Sequence, residues 1–250
     1  MGAFYAYEEY DPFVSTKESL SLKDLIYRAV RRFALWRKRL LVEDFYREGR
    51  LLDVGCGTGE FLDYMHTYQW EIQGVERDPE ARKFAGQSGT TVYPELSEVP
   101  GAGFHVISLW HALEHLHDLT NVVEQLVSLL RQDGVLITAM PNIESWDFKR
   151  YQEDWIALDT PRHLYHFTEK DVEKLFTGTP LRLVSTHSLG WDAVYNVVFS
   201  EQLHRRRTGR FYRPSYMLNS LVGSYVHQRQ SRRCRASASV YILRKEQAYA

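Results

Sequence analysis

A glycine-rich turn between a short apolar strand and a helical segment is the part of this sequence best suited to ligand chemistry. The turn reads Gly55-Cys56-Gly57-Thr58-Gly59. Glycines let the backbone approach a ligand closely, and the free N–H groups of the following helix favour polar or anionic ligand atoms. Glu76 follows the first glycine by about 20 residues, the distance expected of an acid that binds ribose hydroxyls. The turn therefore predicts a nucleotide-type ligand.

The spacing of the glycines argues against a dinucleotide. A dinucleotide fingerprint places its third glycine three residues after the second, whereas Gly59 follows Gly57 by only two. NAD is therefore disfavoured. Cys56 is predicted to be a small turn residue without chemistry of its own, because nothing near it in the sequence favours a thiolate.

A second set of residues could hold or transfer protons. His111, Glu114 and His115 are spaced i, i+3, i+4 and would share one face of a helix. His163 and His166 end a polar segment, residues 142–166, that lacks clear periodicity. Imidazoles and carboxylates act as general bases or as metal ligands. The alternative is that they only anchor or cap the neighbouring helices.

The elements that must position these residues alternate between helix and strand. Predicted strands are Arg50–Val54, Glu71–Val75, Thr90–Tyr93, Phe104–Leu109, Val135–Ala139, Leu181–His187 and Ala238–Leu243. Predicted helices cover residues 17–48, Glu60–Tyr68, Pro79–Phe84, Leu119–Leu130 and a segment capped by Thr168 that ends at Phe176. This alternation predicts an α/β fold with a parallel sheet covered on both faces. A basic, tyrosine-rich insertion of about 50 residues separates the last two strands.

Composition and charge further narrow the class of protein, its expected location and its expected partner. The 250 residues are 44% hydrophobic and 25% charged, which excludes collagen, coiled coil and whole-chain disorder. There is no apolar run of membrane-spanning length and no signal-peptide pattern, and two cysteines cannot form a disulfide framework, so a cytoplasmic protein is expected. Residues 201–250 carry eleven Lys or Arg and two acidic residues. This stretch predicts an anionic partner, with a solvated basic face as the alternative.

The sequence resembles the class I S-adenosylmethionine-dependent methyltransferases. The resemblance rests on four blocks in order: Leu51–Leu62, Gly74–Asp78, Phe104–Leu116 and Leu129–Asn142. It is strongest to the branch that contains ubiquinone-biosynthesis and sugar-tailoring enzymes. It implies a Rossmann-like, seven-stranded, mostly parallel sheet with an antiparallel last strand pair. It also implies an N-terminal helical cap, residues 1–48, in the acceptor pocket, and a methyltransferase domain, residues 49–250, with a lid at 142–166 and a basic insertion at 190–235.

The resemblance implies S-adenosylmethionine as the cofactor. Trp110 would line the path of the methyl group, Leu96 would lie in the loop facing the adenine, and Arg39 would meet the cofactor carboxylate. The cofactor-binding residues implied in full are Gly55, Cys56, Gly57, Thr58, Gly59, Glu76, Arg77, Leu96, Trp110 and Arg39.

The implied catalytic residues are His111, Glu114, His115 and His163. In the metal-binding relatives the matching segment reads Glu-x-x-Glu-His, and His111 stands here at the first carboxylate. A divalent metal on His111, Glu114 and His115 is therefore not favoured, and Mg²⁺ least of all, because it prefers oxygen ligands.

The predicted activity is O-methylation of a small-molecule, sugar or lipid-linked acceptor, which the basic stretch suggests is anionic. A peripheral membrane contact is compatible with that charge. One alternative is an RNA methyltransferase, for which Tyr212, Tyr216 and Tyr225 would supply stacking. Nucleic acid is the less expected partner. The other alternative is a methyltransferase-like binding module without activity.

Overall fold

The computed structural model describes residues 22–189, 192–209, 222 and 236–246. The helices in chain order are α1 (Leu22–Glu43), α2 (Glu60–His66), α3 (Pro79–Ala85), α4 (Leu119–Leu129), α5 (Trp146–Tyr151), α6 (Glu169–Leu175) and α7 (Asp192–Thr208). Short 3₁₀ helices lie at Gly86–Ser88, Leu96–Glu98, Leu113–His115, Gln152–Asp154 and Ile156–Leu158. None of the described helices has the length and hydropathy needed to cross a membrane.

Seven strands form a single mixed sheet. They are β1 (Arg50–Val54), β2 (Glu71–Val75), β3 (Thr91–Tyr93), β4 (Phe104–Trp110), β5 (Leu130–Pro141), β6 (Leu181–Ser188) and β7 (Ala238–Lys245). Their order is β3-β2-β1-β4-β5-β7-β6. The sheet is mostly parallel, and β7 runs antiparallel to both of its neighbours. The Rossmann-like sheet, its antiparallel end and the N-terminal helix are confirmed.

The chain divides into two compact units. The first, called the cofactor-loop unit below, comprises Met1–Trp110, Thr120–Ile137 and Arg244–Ala250. The second, called the histidine unit, comprises His111–Leu119 and Thr138–Leu243.

The cofactor-loop unit is organised around β1. This strand pairs in parallel with β2 and with β4, so that Asp53 lies opposite Gly74 on one side and Ser108 on the other. Four of the five β1 residues are buried, and six of the seven in β4. A strand buried on both faces is mostly apolar, as β1 and β4 are apart from Arg50, Asp53, His105 and Ser108. The turn after β1 therefore begins from a rigid position.

The histidine unit contains a small core of its own. Tyr151, Trp155 and Ala157 from the α5 region pack with Val197 of α7. Residues 142–166, predicted as a lid without periodicity, thus fold into α5 and two 3₁₀ helices. Thr168 caps α6 as predicted, through a reciprocal capping box with Asp171.

One prediction of local structure was wrong, and one helix was not predicted. His111 has a left-handed backbone (φ 56°) and stands outside the 3₁₀ helix Leu113–His115, so it does not share a helical face with Glu114 and His115. The basic insertion, for which no secondary structure was predicted, begins as the 17-residue helix α7. Tyr212, Tyr216 and Tyr225 lie outside the described residues.

Candidate functional site

The glycine turn lies between β1 and α2 with an open side. Gly57 has φ 56°, and a Cβ added there would meet no atom within 4 Å. Gly59 has φ 82°, and its Cβ would lie 2.9 Å from Cβ of Ala85, so a larger residue would push the turn off α3. The left-handed backbone at these positions favours glycine. The turn is therefore packed on one side and accessible to a ligand at Gly57, while Thr58 beside it is half-buried.

Glu76 holds this turn. Its Oε2 accepts a hydrogen bond from the N–H of Gly57 at 2.8 Å, and its Oε1 accepts one from the N–H of Asp78, also at 2.8 Å. Gly55 and Cys56 donate their N–H groups to the carbonyl of Val75, at 2.7 and 3.1 Å. The end of β2 thus fixes the glycine turn through backbone and side chain together.

Buried polar groups lie beneath the turn. The Asp53 side chain accepts a hydrogen bond from the Ser108 hydroxyl at 2.5 Å. Burial raises the pKa of Asp53 to about 7, against the lowering effects of Ser108 and the Lys38 charge. Burial also raises the pKa of the Cys56 thiol, so Cys56 is a protonated turn residue rather than a nucleophile.

Trp110, at the end of β4, forms an aromatic wall in the same unit. Its ring meets Phe61 edge-on at 5.5 Å, and Nζ of Lys38 lies 4.7 Å from its centre. Its indole N–H is buried and has no hydrogen-bond partner among the described residues. Arg31, also on α1, pairs with Glu60 at the start of α2.

Three predicted cofactor residues have other contacts. The guanidinium of Arg39 stacks on Tyr68 at 3.7 Å and pairs with Glu43. Arg77 is exposed, and its carbonyl accepts a hydrogen bond from Arg82. Leu96 is half-buried at the start of a 3₁₀ helix. Lys38, rather than Arg39, is the α1 cation whose Nζ lies over the Trp110 ring, and no sequence signal distinguishes it, because the resemblance implies an arginine there.

The histidine unit holds a second polar group. Nε2 of His111 lies 3.0 Å from Oδ2 of Asp192, and its Nδ1 lies 3.5 Å from Oε1 of Glu114. Partial burial opposes the charged form, but the nearby carboxylates of Asp192 and Glu114 outweigh it and raise the pKa of His111 to about 10. His111 is therefore an imidazolium between two carboxylates. Asp192 could not be paired with His111 from the sequence, since 81 positions separate them.

Glu114, His115 and His163 converge beside this pair. Their potential ligand atoms lie within 4.8 Å of one another, and the two imidazole rings are 4.6 Å apart. Glu114 is 1% exposed, and neither carboxylate oxygen accepts a hydrogen bond from a described residue. The sequence predicted all three residues but not their convergence, which depends on the chain returning at Leu164, whose N–H donates to the carbonyl of Glu114 at 2.9 Å.

Backbone carbonyls set the tautomers of these two histidines. Nδ1 of His115 lies 3.0 Å from the carbonyl of Arg162, and Nδ1 of His163 lies 2.9 Å from that of Ala157. A carbonyl only accepts hydrogen bonds, so each Nδ1 carries the proton and each neutral ring leaves Nε2 with a lone pair. Burial lowers the pKa of His163, which favours the neutral ring. His166 instead bonds through Nε2 to the carbonyl of Leu158.

The chain is similar in sequence and in fold to known methyltransferases. A family model described as a methyltransferase domain matches residues 25–186. A ubiquinone biosynthesis O-methyltransferase of Paraburkholderia phymatum is 29% identical over 130 residues, which are 47% of this chain and 56% of that protein. The match thus spans about half the length of this curated relative.

Solved structures share the fold at low identity. Magnesium protoporphyrin IX methyltransferase from Synechocystis PCC 6803, solved with bound S-adenosylmethionine, has a TM-score of 0.57 at 13% identity, covering 98% of this chain and 94% of that one. Geranyl diphosphate C-methyltransferase from Streptomyces coelicolor A3(2) has a TM-score of 0.57 at 14% identity, covering 92% and 82%.

Proposed function

The chain belongs to the methyltransferase domain family as a class I S-adenosylmethionine-dependent methyltransferase, and on that premise we propose that it methylates an oxygen atom of a small-molecule, sugar or lipid-linked acceptor. The observation that carries this proposal is the convergence of the His115 and His163 imidazoles beside the buried carboxylate of Glu114. A hydroxyl is a weak nucleophile until a base removes its proton, and this cluster supplies such a base.

The glycine turn fits the cofactor. The open side of Gly57 would be filled by any side chain, and an adenosine moiety needs that close approach to the backbone. We propose that the turn from Gly55 to Gly59 binds the cofactor with Glu76 on the ribose hydroxyls, and that Trp110 borders the reacting end. Bound S-adenosylmethionine would supply an electrophilic methyl group. Arg77 and Leu96 remain predicted contacts.

The protein itself would supply a base for the acceptor hydroxyl and hold the acceptor molecule in position. His163 is the preferred base, because its Nδ1–H is held by the carbonyl of Ala157 and its Nε2 lies 3.9 Å from Oδ2 of Asp159. A carboxylate near Nε2 stabilises the imidazolium formed when the acceptor hydroxyl is deprotonated. His115 is the alternative base in the same cluster.

A metal at Glu114, His115 and His163 is the second mechanism that the geometry could serve. Two imidazoles and one carboxylate suit Zn²⁺, Mn²⁺ or Fe²⁺ rather than Mg²⁺. His111, first considered as a ligand, is paired with Asp192 and Glu114 instead. Since the imidazolium of His111 already balances the Glu114 charge, we favour the metal-free base.

The acceptor class has a direct test. The protein is incubated with labelled S-adenosylmethionine and a panel of phenols, sugars and lipid-linked alcohols, each beside its amine analogue. The proposal expects label on oxygen, identified by mass spectrometry of the product. Label only on the amine analogues, or only on carbon, would refute O-methylation. Label on an RNA oligonucleotide but on none of the alcohols would favour the RNA alternative.

The remaining assignments are proposals of the same kind. We propose that the N-terminal helical cap, residues 1–48, is part of the acceptor pocket, that residues 142–166 are a lid, and that the basic residues of the 190–235 insertion favour an anionic acceptor. Residues 1–21, 190–191, 210–221 and 223–235 lie outside the described part of the chain. A cytoplasmic location remains a prediction from the sequence.

A further inference from the structure

The outer side of α1 exposes a row of large apolar residues. Val30 and Phe33 are 50% exposed, and Trp36 is 40% exposed. Their spacing of three residues puts them on neighbouring positions of one helix side. Single exposed apolar residues need no explanation, but a contiguous patch marks an interaction surface.

The row continues onto the residues around the end of α2. Tyr64 and Tyr68 lie with their ring centres 5.2 Å apart. Together with Arg32, Phe33 and Trp36 they line a shallow groove of about 480 Å³. We call Val30, Phe33, Trp36, Tyr64 and Tyr68 the α1 aromatic surface.

Positive charge surrounds this surface. The α1 sequence carries seven Lys or Arg and two acidic residues. Arg28 and Arg32 are exposed beside the aromatic row. Glu43, the acidic residue at the other end of α1, has a 9% exposed side chain and pairs with Arg39 and Arg47. The surface therefore presents aromatic rings and cations together.

We propose that the α1 aromatic surface docks the enzyme on an anionic phospholipid membrane. Trp and Tyr favour the headgroup region because each has an apolar ring and a polar tip. An interfacial helix combines such residues with Lys and Arg, and each cation near an anionic leaflet adds to the attraction. The contact is peripheral. It does not depend on which acceptor the enzyme methylates.

The geometry favours a membrane over two other partners. A nucleic-acid platform needs open ring faces for stacking. Here Arg39 covers a face of Tyr68 at 3.7 Å, and the Phe33 and Trp36 rings tilt against each other at 5.5 Å. A second copy of this chain would bring two strongly basic helices together, which repel each other.

Vesicle binding tests the proposal on the full chain. Vesicles of phosphatidylcholine alone are compared with vesicles containing about one third phosphatidylglycerol, at low and high salt. We expect binding only to the anionic vesicles, weakened by salt. Phe33→Ser with Trp36→Ser, and separately Arg28→Gln with Arg32→Gln, should each lower the partition coefficient at least about 10-fold.

A matched control lies in the histidine unit. Tyr195 and Phe199 of α7 are also exposed, so Tyr195→Ser with Phe199→Ser should leave vesicle binding unchanged. Cofactor affinity, measured on every variant, verifies folding. The proposal is overturned if anionic vesicles are not bound, if the α1 variants bind them like the parent, or if the α7 control loses binding equally. Loss of affinity for single-stranded RNA in the α1 variants, without vesicle binding by the parent, would assign the surface to nucleic acid instead.

Discussion

The carboxylate of Glu76 accepts a hydrogen bond from the N–H of Gly57 at 2.8 Å. The acid that is predicted to bind the cofactor therefore also holds the glycine turn in place. The same carboxylate accepts a hydrogen bond from the N–H of Asp78 at 2.8 Å, and this bond connects the end of β2 to the N-cap residue of α3. Loss of the Glu76 side chain would therefore remove the proposed ribose contact and loosen the turn at once.

Glu76→Ala should weaken S-adenosylmethionine binding by about 10- to 100-fold, the loss expected when hydrogen bonds to a charged group disappear. Glu76→Gln should lose less, because its amide oxygen can still accept one N–H. Calorimetry of both variants measures the effect. Glu80→Gln, an exposed acid in the same region, is the control. Unchanged binding in Glu76→Ala would refute the assignment of Glu76.

Lys38, rather than Arg39, should matter for the cofactor. Lys38 lies 4.7 Å from the Trp110 ring and its charge lowers the pKa of Asp53, whereas Arg39 stacks on Tyr68. Lys38→Gln should weaken S-adenosylmethionine binding about 10-fold, since a cation paired with a carboxylate contributes that much. Arg39→Gln should change it by less than about threefold. The reverse order would restore Arg39 as the carboxylate-binding residue.

The base assignment predicts large losses of turnover. His163→Ala should lower kcat by roughly 10²- to 10⁴-fold, with His115→Ala affected less if His163 is the base. The base must be neutral to accept a proton, and burial lowers the pKa of His163. Turnover should therefore fall only as the pH drops below the usual histidine pKa of about 6.5. His166→Ala, whose ring bonds to the carbonyl of Leu158, is the matched comparison.

Metal removal separates the two mechanisms. If the base is metal-free, a chelator should leave turnover unchanged and the purified protein should contain no stoichiometric ion. A metal mechanism expects close to one Zn²⁺, Mn²⁺ or Fe²⁺ per chain, lost in Glu114→Gln, with cofactor binding preserved. Elemental analysis before and after chelation decides between them.

The bond between Asp192 and His111 should make stability depend on pH. The pKa of His111 is raised in the folded protein to about 10, so the pair contributes fully below about pH 6.5, where the unfolded chain also protonates histidine. The contribution is lost as the pH rises through about 10. Asp192→Asn should therefore lower Tm at about pH 6 and have little effect above the raised pKa. Glu173→Gln, an exposed acid on α6, should show no such difference.

The cofactor-loop unit was largely predictable because local patterns determine it. A buried, mostly apolar strand, glycines at positive φ and an acid directly after β2 all lie within about 30 residues of one another, the span of one βαβ unit. Lys38 was not predicted, because the resemblance implied an arginine and helical periodicity does not tell which of two adjacent cations faces a strand end.

Helix α7 was not predicted from the sequence, because its large apolar residues lie on the exposed side and its buried residues are mostly polar. Its buried residues, Ala193, Asn196, Val197, Ser200 and Glu201, follow helical spacing but are mostly polar. Its exposed residues include Tyr195, Phe199 and Leu203. Apolar periodicity would therefore indicate the exposed side of α7 as its buried side. The buried polar groups pair with distant partners, such as Asn196 with Ser237 at 2.6 Å, which only the folded chain brings together.

The three arginines at the end of α7 are expected to have two different roles, one in stability and one in acceptor binding. Arg207 forms two 2.7 Å hydrogen bonds with the buried carboxylate of Asp154, so Arg207→Gln should cost about 1.5 to 3 kcal/mol of stability and lower Tm. Arg205 and Arg206 are exposed, and Arg205→Gln with Arg206→Gln should raise the KM for an anionic acceptor while kcat, Tm and cofactor affinity stay near parent values. Because exposed charges are screened, the KM difference should shrink at high salt. A salt-independent KM equal to that of the parent would mean that the exposed pair belongs to a solvated basic face.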